Sequence, residues 1–127
     1  MSDTTTKGVR IQIKSVFVPE RSSEDDDYYF FAYRVRISNV GEEMVQLVSR
    51  HWVITDADGK IEEVRGPGVV GEQPLLRTGQ SFEYTSFCPI RTPVGSMHGS
   101  YQMIGEDEEP FDAKIDPFGL AVPGVVN

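Results

Sequence analysis

Residues 66–71 read Gly66-Pro67-Gly68-Val69-Val70-Gly71, the GxGxxG spacing of loops that cradle a pyrophosphate with backbone amides, and Arg65 and Arg77 flank them. Such a loop works by joining a strand to a helix whose N-terminal amides and dipole hold the phosphate. Here Glu72, Gln73 and Pro74 follow, then a turn at Thr78-Gly79, so no helix is available and Glu72 would repel an anion. The glycines are expected to make a tight loop between strands. The alternative is an anion nest of successive amides, in which Arg65, Gly66, Gly68, Gly71 and Arg77 bind pyrophosphate or a nucleotide.

Cys88 and His98 supply the other chemistry, since an imidazole that lowers a thiol pKa and takes its proton makes a nucleophile. No third, orienting group stands at a recognisable position, and Cys88 between Phe87 and Pro89 reads as a small buried hydrophobe. His51, His98 and Cys88 lack the compact ligand spacing of a zinc site. The acidic runs at 24–27 and 106–109 lack the glycine and spaced oxygens of a calcium loop, and read as solvated loops. Hydrolysis of a phosphoanhydride would need a metal or an activated water, and no carboxylate cage is evident. No catalytic residue, metal or cofactor is expected.

The elements that must carry these residues are strands. Val9, Ile11 and Ile13 alternate with Arg10, Gln12 and Lys14, and Val16 and Val18 continue in the opposite phase, which predicts a bulge or a switch of sheet. Tyr29, Phe31, Tyr33, Val35 and Ile37 line one face of a long strand whose other face carries Arg34, Arg36 and Ser38. A strand over 45–55 holds Trp52 as a core anchor, and Asp58-Gly59 turns it back into 61–64. The stretches 66–74 and 89–95 break the pattern. Phe82, Tyr84 and Ser86, then Tyr101 and Met103, then Phe111, Ala113 and Ile115 mark the remaining strands. About seven strands with regular turns and no helical periodicity predict an all-β sandwich of two antiparallel sheets.

A chain of 127 residues with 39% hydrophobic and 25% charged residues suits one globular domain over 1–127, with 1–6 and 120–127 expected to be flexible. A net charge of −8 argues against nucleic acid and against acidic membrane surfaces, because both need clustered cations. The single cysteine excludes an internal disulfide, and the sequence shows neither a signal-like apolar segment nor a run near 20 apolar residues. A cytoplasmic location is expected.

With the strands placed, Ser49-Arg50-His51-Trp52-Val53-Ile54-Thr55-Asp56, the run EVRGPGVVGEQP at 63–74 and the run FEYTSFCPIRTPVGSMHGSYQM at 82–103 resemble the ApaG family over almost the whole chain. The acidic loop at 20–27 and the tail after Phe118 diverge from it. The resemblance implies an immunoglobulin or fibronectin type III-like sandwich. It also implies an association of bacterial members with cobalt resistance and magnesium efflux, and a likeness to interaction domains in eukaryotic F-box proteins and a polymerase delta-interacting protein. It brings no catalytic residues.

The functional expectation is therefore a non-enzymatic module that binds an unidentified protein partner, as a monomer or a homodimer. Its partner surface is expected at the loops 66–74 and 89–99, with Arg50, His51, Arg65, Arg77, Arg91 and His98 as contacts. The alternative is a small-molecule sensor of pyrophosphate or a nucleotide at the glycine-rich loop.

Overall fold

Alternation of apolar and polar residues divides the chain into strands that each have a wet and a dry face. In the computed structural model, which describes residues 1–124, these strands form two antiparallel sheets. The first sheet is β1 (Ser2–Thr6), β2 (Val9–Phe17), β3 (Tyr29–Asn39) and β7 (Ser81–Ile90), in that spatial order. The second is β5 (Ile61–Pro67), β4 (Val45–Asp56), β8 (Val94–Gly105) and β9 (Pro110–Ala121). The two-residue β6 (Leu75–Leu76) pairs with the start of β4, on the edge that β5 occupies further along. The order β2-β3-β7 facing β5-β4-β8-β9 is that of a fibronectin type III-like sandwich.

One cluster fills the space between the sheets. Val9, Ile11, Ile13, Phe31, Tyr33, Val35 and Ile37 from the first sheet meet Leu47, Trp52, Met97, Tyr101, Met103, Ala113, Ile115, Phe118 and Leu120 from the second. Trp52 is at its centre, with the rings of Tyr33, Tyr101 and Phe118 around it at centroid distances of 5.4, 6.1 and 5.9 Å.

The structure differs from the sequence expectation in four places. Nine strands form among the described residues, where about seven were expected. Residues 1–6, expected to be flexible, hold β1, because the consecutive threonines 4–6 suit a strand and Asp3 pairs with Arg10 of β2 at 2.7 Å. At the other end Leu120 is buried in the core as part of β9; residues 125–127 lie outside the described residues. No bulge interrupts β2: its register with β3 is continuous, and the change of phase leaves Val16 on the outer face, 61% exposed. The irregularities fall instead in β4, between Leu47 and Ser49, and in β8, between Met97 and Gly99.

Strand β8 begins at Val94, inside the glycine- and serine-rich stretch that sequence propensity reads as irregular. Its glycines answer close packing on β4. A Cβ on Gly95 would come within 2.8 Å of the Thr55 carbonyl oxygen, and one on Gly99 would collide with the carbonyl of His51.

Candidate binding groove

The register places Ser49, His51 and Val53 of β4 beside Pro67, Arg65 and Glu63 of β5 and beside Gln102, Ser100 and His98 of β8. Since Trp52, Met97, Tyr101 and Met103 point into the core, these intervening residues make the outer face of the second sheet. Gln102 and Ser100 continue the rows onto Asp112 and Lys114 of β9. A groove of about 540 Å³ runs over this face, lined among others by Ser49, Arg50, His51, Arg65, Gln102 and Asp112.

Its polar groups hold one another in place. Ser49 Oγ donates to Gln102 Oε1 at 2.9 Å, and Gln102 Nε2 donates to Ser100 Oγ at 2.8 Å. His51 Nε2 lies 2.7 Å from Glu63 Oε1, and Arg65 Nη2 lies 3.7 Å from the same oxygen. The Glu63 carboxylate thus sits between an imidazole and a guanidinium on one wall, while the floor is a chain of small neutral groups.

The glycine-rich loop forms the end of this groove, and its polarity is the reverse of a nest. Arg50 Nη1 donates to the carbonyl oxygens of Pro67 and Gly68, both at 2.9 Å. The guanidinium lies across Gly66, where a Cβ would stand 2.9 Å from Nη2. The amide of Gly68 donates to Val48, and those of Val69 and Glu72 donate to each other's carbonyls. Three amides a phosphate would need therefore have partners inside the protein. Gly68 and Gly71 adopt positive φ, 58° and 80°, and Val70 does so too at 45°. This left-handed excursion carries Val69 into the core, 1% exposed, and leaves Val70 outside.

Of the residues expected at a binding site, the structure brings Arg50, His51, Arg65 and Gly66 together at the groove, Arg50 reaching it from the core side of β4 opposite Gly66 and Tyr101, while His98 is on the outer face with His51, one row along and diagonal to it. It does not bring Arg77 or Arg91 to them. Arg77 follows β6 in a cleft with Glu42, Met44 and Glu106 at the start of β4. Arg91 follows β7 beside Asp56 and Lys60 at its end, with its guanidinium donating to the Asp26 carbonyl at 3.2 Å. The 12 residues of β4 separate them, roughly 40 Å at about 3.3 Å each. Loops read as neighbours are thus distributed along the sandwich, because the chain crosses between sheets after both β6 and β7.

Cys88 is buried in β7 opposite Phe31, and burial pushes its thiol up to about 12, whereas His98 is exposed on the outer face of the other sheet. The two do not meet. Sequence reasoning missed Ser49, Ser100, Gln102, Glu63 and Asp112. The polar alternation Ser96, His98, Ser100, Gln102 held the signal, masked by Gly99, which breaks the apolar row of Met97 and Tyr101 between them.

The ApaG domain family model matches residues 19–105. The chain belongs to the ApaG family. Protein ApaG of Anaeromyxobacter dehalogenans (strain 2CP-C) is 53% identical over 127 residues, covering 100% of both chains. Protein ApaG of Thiobacillus denitrificans is 53% identical over 119 residues, covering 94% of each. The crystal structure of a Bordetella pertussis protein given the name ApaA superposes with a TM-score of 0.90 at 48% identity, covering 92% of this chain and 95% of that one. The ApaG sandwich is therefore shared at high sequence identity, with the groove strands β4, β5 and β8 inside the matched residues. No helix among the described residues is long and apolar enough to cross a membrane.

Proposed function

We propose that this ApaG-family chain is a non-enzymatic, cytoplasmic protein-interaction module that engages its partner through the groove over β5, β4 and β8. The observation that supports this reading is the groove's construction. Three adjacent strands hold Arg65, His51 and Ser100 in one cross-strand row, and mutual hydrogen bonds fix the neighbouring polar groups before a partner arrives. Such preorganisation spares the ordering cost that weakens flexible surfaces. The association with cobalt resistance and magnesium efflux that the family resemblance implies would then run through the partner.

The test is a photo-crosslinking residue at position 100, inside the groove, introduced into the chain in its own host. One dominant crosslinked protein is expected, and Arg65→Glu, an exposed change, should abolish it without lowering the melting temperature. A crosslink that survives both Arg65→Glu and His51→Ala would remove the groove from the reading. Pyrophosphate added to the nitrogen-15-labelled chain tests the sensor alternative: saturable shifts at Arg65, Val70 and Gly71 would favour it over the interaction module.

A further inference from the structure

The outer face of the first sheet has a different character. Register fixes its rows: Val16-Ala32-Phe87, then Lys14-Arg34-Thr85, then Gln12-Arg36-Glu83, then Arg10-Ser38-Ser81. Phe87 is 52% exposed and Val16 61%, so the first row is an apolar strip open to water. Phe87 stacks on Phe30 at 5.4 Å, and the Arg21 guanidinium lies 4.4 Å from the Phe30 ring centroid, so the strip is framed by a cation.

Beside the strip the cations crowd. Lys14 stands directly opposite Arg34 on the neighbouring strand, with Arg36 diagonal to it. Like charges opposite one another destabilise a sheet. Arg34 has Glu83 at 3.5 Å and Arg10 has Asp3, but Lys14, Arg36 and Arg21 are in no ion pair among the described residues. The outer rows of the strands hold Arg10, Lys14, Arg34 and Arg36 against Asp3 and Glu83, and Arg21 joins them from the turn at 19–21 over Phe30 and Phe87, in a chain with 20 acidic and 12 basic residues. Cations concentrated against the overall charge, at a cost to the sheet, next to exposed phenylalanine and valine, call for an anionic and apolar complement.

We propose that this face is a second docking surface, built for an acidic segment of a partner protein that carries an apolar anchor. The carboxylates sit on Lys14, Arg34 and Arg36, and the anchor on Val16 and Phe87. Four strands at about 4.8 Å and rows at about 6.6 Å give a patch of roughly 14 by 20 Å, far below the ~800 Å² a side of a whole-domain interface. It fits a short segment. A second copy of this chain is a poor complement: its acidic run at 24–27 leads through half-buried Tyr28 into Tyr29 and Phe30, which are both buried, and Phe111 after the run at 106–109 is packed against the core. An anionic membrane is a poorer one, because Val16 and Phe87 lie within the sheet face and have no protruding tip to insert.

The probe is a fluorescent peptide of about twelve residues with glutamates on both sides of a central leucine-phenylalanine pair. Saturable binding is expected, weakening steeply as salt rises past about 0.1 M. Lys14→Glu with Arg36→Glu should weaken it at least tenfold, and so should Phe87→Ser. Lys14→Glu alone should leave the melting temperature unchanged or higher, since it turns a like-charged pair into an opposite one. Arg65→Glu should leave the peptide bound, which separates this surface from the groove. The proposal is overturned by no saturable binding at millimolar peptide, by binding indifferent to the charge reversal, by preferential binding to phosphatidylserine vesicles, or by a concentration-dependent dimer that the reversal abolishes.

Discussion

Val69 turns a motif that looks like a phosphate loop into a piece of core. It is buried between two glycines with positive φ, and the loop around it closes on its own amides and on Arg50. The sequence contains the reasons the motif has no helix behind it, so the structural role of the glycines is legible there. The role of Arg50 is not legible, because nothing in a linear reading shows a guanidinium 16 residues upstream lying flat on Gly66. Val69→Ala should cost about 1–2.5 kcal/mol, the transfer of two methyl groups plus part of a cavity. Gly68→Ala should cost more, since its Cβ would strike the Glu72 carbonyl and the backbone there is left-handed. Urea denaturation of the two variants checks both size and order; equal, negligible losses would mean that the loop is not part of the folded core.

The strands that sequence patterning finds most readily are those whose apolar face is long, β3 above all, with five inward residues in strict alternation. β1 escapes such reading because it contributes no large side chain to the core. Its work is done by hydroxyls. The amide of Asp116 donates to Thr4 Oγ1 at 3.3 Å and that of Lys114 to Thr6 Oγ1 at 3.2 Å, while Ser2 Oγ donates to the Asp116 carbonyl and Ser15 Oγ of β2 to that of Gly119. The free edge of β9 is thereby satisfied by side chains of the opposite sheet, which closes this flank of the sandwich and removes a template for strand addition. Thr4→Val with Thr6→Val, nearly isosteric, should lower stability by about 1 kcal/mol for each hydrogen bond lost. Hydrogen exchange locates the effect: the amides of Lys114 and Asp116 should exchange faster, and those of β3 should change only with global stability. Unaltered exchange in β9 would show that the hydroxyls do not protect it.

Across the whole molecule, the two sheets are joined by a buried polar cluster as well as by apolar contact. Tyr84 of β7 and Tyr101 of β8 hydrogen-bond through their hydroxyls, with Tyr33 and Cys88 on the first sheet nearby and the charge of Arg50 acting on all three tyrosines. A sequence shows each tyrosine as an apolar position in a strand; that two of them meet hydroxyl to hydroxyl depends on the pairing of sheets, which no single strand encodes. Burial raises Tyr33, Tyr84 and Tyr101 above the ordinary tyrosine value of 10.0, and Cys88 from 9.0 to about 12. The unfolded chain therefore loses these protons first. Stability from the four groups is fully present below about pH 9 and is lost as pH rises above 9 for Cys88 and above 10 for the tyrosines, by up to about 1.4 kcal/mol per pH unit per group. Thermal melts should be flat from neutral pH to about 9 and then fall steeply. Tyr84→Phe with Tyr101→Phe should start from a similar stability, because both partners of the buried bond go together, and should lose it less steeply with pH. An alkaline slope identical to that of the parent chain would show that this cluster does not couple the two sheets to protons.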